Sequence, residues 1–482
     1  SAALLNQGGN GRVPSQEYHD VFVSRRWADA VARAGSTRVA AAACRVLRNS
    51  EVQLGMKNVF NKKAPFDAGN APTTAGRDQL LTAVGAGQTV FLTGDLSRLL
   101  SVWMQQMAGT DRQYIPLSLY QYDEDAFSPD WIAAYDAGGL VDERALQTQA
   151  LSVGDTVYAG IGKIWEAMTM GTVADIWGDV PYSQAVGSVL TPELDPQQQV
   201  FAEVQAQLDT ALAYLRCTAI TCRGPSPTVD LWFGDTLQYW AALAHTLKAR
   251  FYLHTATRDP TAYANAFAQA DSGIADPAHN LVSWQSSDPN EWNLWYQFMV
   301  IQRSGYISAG AFLVNLLKST NDPRLAQYYS SVGGQFNGAP PGGGQGTFST
   351  LSATRLDPAF RQPMVTYAEN QLIKAEAALA LGQQSAADAA FNAERASQGV
   401  SAKSGVTLSD IITEKYIALF QQIEPWNDYK RTCLPAITPA QPSGVPGRLL
   451  YPLSAERNAN PNIPAPNGQP PRNWNQPNAC TP

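Results

Sequence analysis

TVADIWGDVPYSQAV, residues Thr172 to Val186, starts with the apolar spacing of a helix and stops within a few residues. Gly178 can take the left-handed conformation that closes a helix, and Pro181 three residues on forbids its continuation. Termination explains the glycine and the proline. It leaves Trp177, Asp179 and Tyr182 crowded at a helix end, where two aromatic rings and an acid need a partner from elsewhere in the chain.

Outward from that stretch, helical periodicity dominates and strand alternation is scarce. Amphipathic spacing predicts helices over residues 77–108, 139–177, 196–214, 235–255, 260–270, 308–317, 366–381, 385–397 and 408–422. WAALAHTLKARFYLHTA, from Trp240, and TYAENQLIKAEAALALGQQSAADAAFNAERA, from Thr366, put alanine where a second helix must come close, and Gly382 ends the first helix of the latter pair. The pattern resembles tetratricopeptide pairing without a clean 34-residue period. GGQFNGAPPGGGQGTFSTLSATRLDP, from Gly333, and the Pro- and Asn-rich tail after Pro435 are expected to be loops, and loops on a rigid helical scaffold are where binding surfaces usually lie.

The chain has 482 residues, 45% hydrophobic and 16% charged, with no apolar run of membrane-spanning length. Its net charge of −7 argues against nucleic-acid binding, since no basic excess is available to displace counterions from phosphates. The charge is uneven. Residues 1–67 hold ten Lys or Arg against five acids, a net of +5, which leaves −12 on the remainder. Of five cysteines, Cys217 and Cys222 close the short loop CTAITC while Cys433 and Cys480 flank the Pro-rich tail; without a zinc-finger set, two disulfides in an oxidising compartment are expected, with Cys44 left as a buried thiol. The absence of a signal peptide at Ser1 suggests a mature or trimmed chain.

Signatures of common enzymes are missing. His19, His245, His254 and His279 have no metal spacing, and His245 and His254, nine residues apart on one helix, face opposite sides. No G-x-S-x-G, Walker, Rossmann or H-E-x-x-H motif occurs. Glycoside hydrolysis needs only two carboxylates, which leaves Asp123, Glu124 and Asp125 in YQYDEDAF as enzyme candidates; a solvated acidic turn is the favoured reading, and the oxygen spacing of a calcium loop is absent.

The aromatic residues are more informative. SWQSSDPNEWNLWYQF, from Ser283, sets Trp284, Trp292, Trp295 and Tyr296 among amides and acids, a composition that suits a ligand with both apolar faces and hydroxyls. A sugar ring is such a ligand. GTDRQYIPLSLYQYDEDAFSPDW, from Gly109, adds Arg112, Tyr114, Tyr120, Tyr122 and Trp131, and a platform with Tyr114, Tyr120 or Tyr122 opposite the tryptophans is expected.

Six motifs then fall in one order: WMQQMAGTDRQY (Trp103 to Tyr114), ADIWGDVPYSQA (Ala174 to Ala185), NDPRLAQYY (Asn321 to Tyr329), VTYAENQLIKAEAALALG (Val365 to Gly382), EPWNDYKRT (Glu424 to Thr432) and GRLLYPLSAERNAN (Gly447 to Asn460). Across residues 73–475 they resemble the SusD/RagB family of outer-membrane nutrient-binding lipoproteins. The resemblance implies a mainly α fold with four tetratricopeptide-like helix pairs and a loop-rich, ligand-facing part. It implies a lid over a SusC-type TonB-dependent transporter, on the extracellular face of a bacterial outer membrane, that passes oligosaccharides or peptides inward unaltered, with no cofactor. The segments 109–131 and 283–306 should then converge on the binding face. In WGDVPY, Asp179 is expected to accept backbone N–H groups of the turn; in EPWNDYKR, Trp426 packs and Asp428 faces Lys430 or Arg431.

Two features depart from the family pattern. Members usually start at a lipidated cysteine, whereas this chain begins SAALLNQGGN, so either that cysteine preceded Ser1 or anchoring is through the partner. Residues 1–72 match nothing in the pattern and read as a basic arm on an acidic surface; residues 73–482 form the family-like domain, with long loops around 276–306 and 331–365. The alternatives are a peptide-binding relative, or a surface assembly protein that has kept the fold without the ligand.

Overall fold

The computed structural model describes residues 74–476, 478 and 480; the basic arm and Cys44 lie outside the described residues. In chain order the helices are α1 (Thr74–Thr93), α2 (Asp95–Trp103), α3 (Tyr114–Ser118), α4 (Ser128–Tyr135), α5 (Leu140–Ser152), α6 (Thr156–Trp177), α7 (Gln197–Tyr214), α8 (Leu237–His254), α9 (Ala262–Ala270), α10 (Leu294–Tyr296), α11 (Ala311–Ser319), α12 (Arg324–Tyr328), α13 (Tyr367–Ala380), α14 (Gln384–Ser397), α15 (Leu408–Ala418) and α16 (Glu424–Thr432). The strands are short: β1 (Met107–Gly109), β2 (Leu281–Val282), β3 (Ile307–Ala309), β4 (Tyr329–Ser330), β5 (Thr350–Leu351) and β6 (Pro363–Val365), paired antiparallel as β1–β3, β2–β6 and β4–β5.

Helices α5 to α9 pack each on the next, α9 packs on α13, and α13 packs on α14 and α15. This serial pairing makes the tetratricopeptide-like array, in which each helix buries its apolar face on its neighbours. Helix α6 is buried along nearly its whole length, because α5, α7, α8 and α1 cover it on several sides.

Local signals redraw several helix boundaries. The expected helix over 77–108 is two, broken at Gly94 and followed by β1, and that over 139–177 breaks where the Asp155 side chain caps α6 at Tyr158 N. Apolar spacing runs across both breaks, so periodicity alone does not show them. Helix α16 buries only Trp426 and Tyr429 as large apolar side chains, and its charged residues are buried too, Glu424 and Asp428 by ion pairing and Lys430 by a hydrogen bond to a backbone carbonyl.

Those pairs belong to a buried polar network. His254 on α8 donates Nδ1–H to Asp175 of α6 at 2.7 Å and Nε2–H to Glu424 of α16 at 3.1 Å. Arg250, one turn earlier, pairs with Glu369 of α13 through Nη2 at 2.6 Å and lies 3.4 Å from Glu424. Lys430 donates to the Asp175 carbonyl at 2.6 Å, and Asn473 and Asn475 of the tail also donate to Asp175. Nearby, Asp428 accepts from Lys415 at 2.8 Å and Arg431 at 2.7 Å, so Arg431 is its partner on α16 and Lys430 is not.

The opening stretch is explained by the tail. Gly178 sits at φ +85°, and a Cβ there would meet Asn473 Oδ1 at 2.6 Å. Trp177 is fully buried, its indole donating to the Leu450 carbonyl at 3.0 Å, while Arg448 donates to the Trp177 carbonyl and Tyr451 to that of Asp179. The acid that holds the turn is Asp195 rather than Asp179: its carboxylate accepts Tyr182 N and Ser183 N at 2.8 and 2.7 Å. Asp179 instead accepts Gln197 N at 2.8 Å, at the first residue of α7. Disulfides Cys217–Cys222 and Cys433–Cys480 are both formed, the second tying the end of α16 to the tail.

Burial alone would lower the His254 pKa, but the carboxylates of Asp175 and Glu424 overcome it and raise it from 6.5 to about 9. A raised folded-state value contributes stability that is complete below about pH 6.5 and is lost as pH rises through about 9, on the order of 3 kcal/mol. His254→Gln should remove that slope and lower stability near neutral pH by roughly 3 to 5 kcal/mol, because two buried carboxylates lose their cation. Lys430, which burial holds down to about 8, shares Asp175 and Glu424 with His254, so its own titration shifts in the variant and forms part of the measured difference. Urea unfolding of both proteins between pH 6 and pH 9 checks this; parallel pH profiles would refute the account.

Candidate functional site

Two separated segments meet through the β1–β3 pair, with Met107 opposite Ala309 and Gly109 opposite Ile307. The chain turns so tightly after β1 that a Cβ on Gly109 would lie 1.8 Å from the Tyr114 carbonyl oxygen. Thr110 N and Asp111 N donate to the Tyr306 carbonyl at 2.8 and 3.3 Å, and Thr110 Oγ1 donates to the Gly305 carbonyl at 2.8 Å. The convergence expected for segments 109–131 and 283–306 is thus present in the part nearest β1.

Loop 286–293 is shaped by its own polar residues. Ser286 donates to Glu291 at 2.7 Å, and Asn290 N donates to Asp288 at 2.9 Å. Asn293 caps α10, accepting Trp295 N and Tyr296 N at 2.9 and 3.1 Å, while its amide donates to the Phe360 carbonyl. From α10 the chain widens into a π-helix, Gln297–Gln302, a form frequent at functional sites.

Exposure along this segment alternates with helical period. Trp292 and Tyr296 are half-buried and Val300 is exposed, whereas residues 293–295 and 297–299 are buried. The ring contact of Trp292 with Tyr296, and the single helical turn from Tyr296 to Val300, make these three one stripe. The Trp292 and Tyr296 rings meet edge to face at 5.3 Å, and the Trp292 indole donates to the Ser287 carbonyl. Val300 and Ile301 are 42% and 55% exposed, an apolar strip at the centre of the segment. Below it, Phe298 receives the edge of Tyr114 at 5.1 Å and the Arg98 guanidinium at 4.5 Å. Burial and Asp95 push the Tyr114 phenol up to about 12, against the pull of Arg98 and Arg303. At the far end Tyr306, half-buried, has the guanidinium groups of Arg112 and Arg303 beside its ring.

The expected single platform is divided between places. Trp292, Tyr296 and Arg112 lie on the stripe or at its end, with the largely buried Tyr114 beneath. Trp295 and Trp131 are 0% and 2% exposed, so the expectation that they offer ring faces to a ligand is corrected: both are core side chains. Trp131 packs edge-on against Trp177 at 5.1 Å, and Tyr120 and Tyr122 contact Trp103 at 5.9 and 5.4 Å. Tyr120 Oη accepts Ala440 N and Tyr122 Oη donates to the Arg448 carbonyl, so these phenols are turned to the tail and do not stand opposite Trp292. Trp284 lies under the Arg361 guanidinium at 4.3 Å, in a separate setting. In the acidic turn, Glu124 pairs with Arg457 at 2.8 Å and Asp125 accepts Ser454 N at 2.8 Å, so both hold the tail. Tyr306, Arg303, Val300 and Ile301 are the additions that pattern reading missed; their segment was indicated, but the π-helix that carries Val300 and Ile301 and the turn that carries Arg303 and Tyr306 were not.

A polar cleft of about 410 Å³ lies elsewhere, lined by Arg144, Tyr182, Asp195 and Glu203 among others, with Arg144 already committed to Glu166 and to two carbonyls. Among the described residues no group of His, Cys, Asp and Glu is arranged to hold a metal, and no helix is long and apolar enough to cross a membrane.

A family model described as starch-binding and associating with the outer membrane matches residues 69–396. Among solved structures, a SusD/RagB family protein of Bacteroides thetaiotaomicron aligns over 84% of this chain and 99% of its own, with TM-score 0.69 and 19% identity. A chitin-binding protein aligns over 83% and 100%, with TM-score 0.69 and 20% identity, and a chitin-binding SusD homolog of Flavobacterium johnsoniae over 82% and 99%, with TM-score 0.67 and 19% identity. No curated protein matches. At these identities the neighbours share the fold.

The two classes of tryptophan should separate on melting. Trp295→Ala and Trp131→Ala should each cost roughly 3 to 5 kcal/mol, whereas Trp292→Ala, at a half-exposed site, should stay within about 1 kcal/mol of the parent. Denaturant unfolding of the three variants measures the contrast, and equal losses would place Trp292 in the core.

Proposed function

We propose, because this chain belongs to the SusD-like family, whose description is starch-binding and associating with the outer membrane, that it captures oligosaccharides at the cell surface. In this reading it serves as the lid of a SusC-type TonB-dependent transporter and hands the glycan to the barrel chemically unchanged. The observation that carries the reading is the stripe of Trp292, Tyr296 and Val300, running out to Tyr306 on a rigid helical array. Ring faces and an apolar strip cover the C–H surface of successive sugars, while amides and hydroxyls of the bordering loops bond their hydroxyl groups. That two neighbours of the same fold are named as chitin-binding supports a carbohydrate over a peptide.

The basic arm, residues 1–72, is assigned to the interaction with an acidic surface, and residues 73–482 to the binding body. Anchoring to the outer membrane is by a lipid or through the transporter.

Calorimetric titration against a panel of neutral oligosaccharides should find a ligand, and Trp292→Ala or Tyr296→Ala should weaken it by on the order of 2 kcal/mol, about thirtyfold, without lowering the melting temperature. The recovered glycan should be unaltered, and a TonB-dependent barrel should copurify from native membranes. Binding that survives the loss of both rings would reject the platform, and release of shorter sugars would make the protein an enzyme.

A further inference from the structure

The stripe ends in charges that a neutral sugar does not require. Arg112 and Arg303 set their guanidinium carbons 5.7 and 5.4 Å from the centroid of the Tyr306 ring. They arrive from different elements: Arg112 from the turn after β1, and Arg303 from the residue that follows the π-helix. A hydrogen bond from Tyr306 N to the Arg303 carbonyl closes the short turn that carries the ring back toward β3.

Arg112 has one acidic neighbour. Asp111 Oδ2 lies 3.8 Å from its Nε, and Asp111 Oδ1 accepts its backbone N–H at 2.9 Å. Among the described residues, neither Nη of Arg112 nor any side-chain nitrogen of Arg303 has a hydrogen-bond partner. Elsewhere the body uses its arginines differently: Arg144, Arg250, Arg324, Arg431 and Arg457 each donate to a carboxylate. Residues 68–482 carry a net charge of −12, so acids are plentiful, yet the pair at Tyr306 has only Asp111. Arg112 is also held at φ +44°, a left-handed conformation that costs a non-glycine residue about 1 kcal/mol or more, and its side chain is 71% exposed.

We propose that this end of the site receives the anionic group of an acidic oligosaccharide, a uronate carboxylate or a sulfate ester. Arg112 and Arg303 bind the anion while the following sugars lie along Val300, Tyr296 and Trp292. The inference rests on the oligosaccharide-binding reading of the same stripe. Guanidinium groups present paired N–H donors that match the oxygens of either anion. At the opposite end the exposed Asp288 and the half-buried Glu291 disfavour an anion, which sets the direction in which an acidic chain lies.

Matched probes test the charge and leave the sugar skeleton unchanged. Tetragalacturonate is titrated against its methyl ester, and a sulfated galactan oligosaccharide against its desulfated form, at low and high salt. The charged member of at least one pair should bind about tenfold tighter, with the advantage shrinking as salt screens it. Arg112→Gln and Arg303→Gln should each remove most of that advantage and weaken the charged member far more than the neutral one, while Arg303→Lys keeps the salt dependence and part of the affinity. A preference confined to one pair identifies carboxylate or sulfate as the anion. Equal affinity within both pairs, or glutamine variants without effect, would overturn the inference and leave the glycan platform standing. Failure of all four probes together with an inert neutral panel would overturn the underlying reading as well.

Discussion

The protonated His254, donating to Asp175 on one side and Glu424 on the other, is the constraint on which the rest of the molecule depends. It joins α6, α8 and α16 at a point remote from solvent, and Arg250 extends the connection to α13. Burying several charges is costly, and replacing such a cluster with apolar side chains is often neutral or better for stability. What the cluster supplies is register. The opposed groups must meet within hydrogen-bond distance, so the helices cannot slide past one another, whereas an alanine-rich interface alone tolerates displacement. The tail joins the same network through Asn473 and Asn475, which is how a Pro-rich segment with little secondary structure comes to be fixed.

A second consequence concerns the proposed binding face. The stripe from Trp292 to Tyr306 lies on short loops, the single turn of α10 and the π-helix, none of them long enough to be rigid alone. It holds its shape because β1 ties it to the end of α2, whose Trp103 packs against Trp426 of α16 at a centroid separation of 6.1 Å. Residues of the proposed binding face are therefore held by a chain of contacts leading back to the ionic centre. Recognition on such a face depends on rigid rings presented at low entropic cost, which is the economy that aromatic anchors offer.

Much of the fold was legible in the sequence. Periodicity located most long helices, the six motifs indicated the helical array, and the cysteine positions anticipated both disulfides. The site was legible only in part. Trp292, Trp295 and Tyr296 stand within five residues in one composition, yet Trp295 is in the core and its neighbours are not. Tyr120 and Tyr122 looked like ligand residues because they sit in a polar loop, but the tail that satisfies their hydroxyls comes from more than 300 residues away.

By itself, then, the sequence determined the helical class, the pairing of neighbouring helices, and the aromatic and charged stock from which a site is drawn, because these depend on local spacing and composition. Only the tertiary structure decided which rings face solvent, that Asp195 rather than Asp179 holds the turn after Trp177, and that Arg112 and Arg303 share one tyrosine. Each of these depends on contacts beyond the period of a helix or strand, such as Arg112 with Tyr306, and local propensity has no term for such a partner.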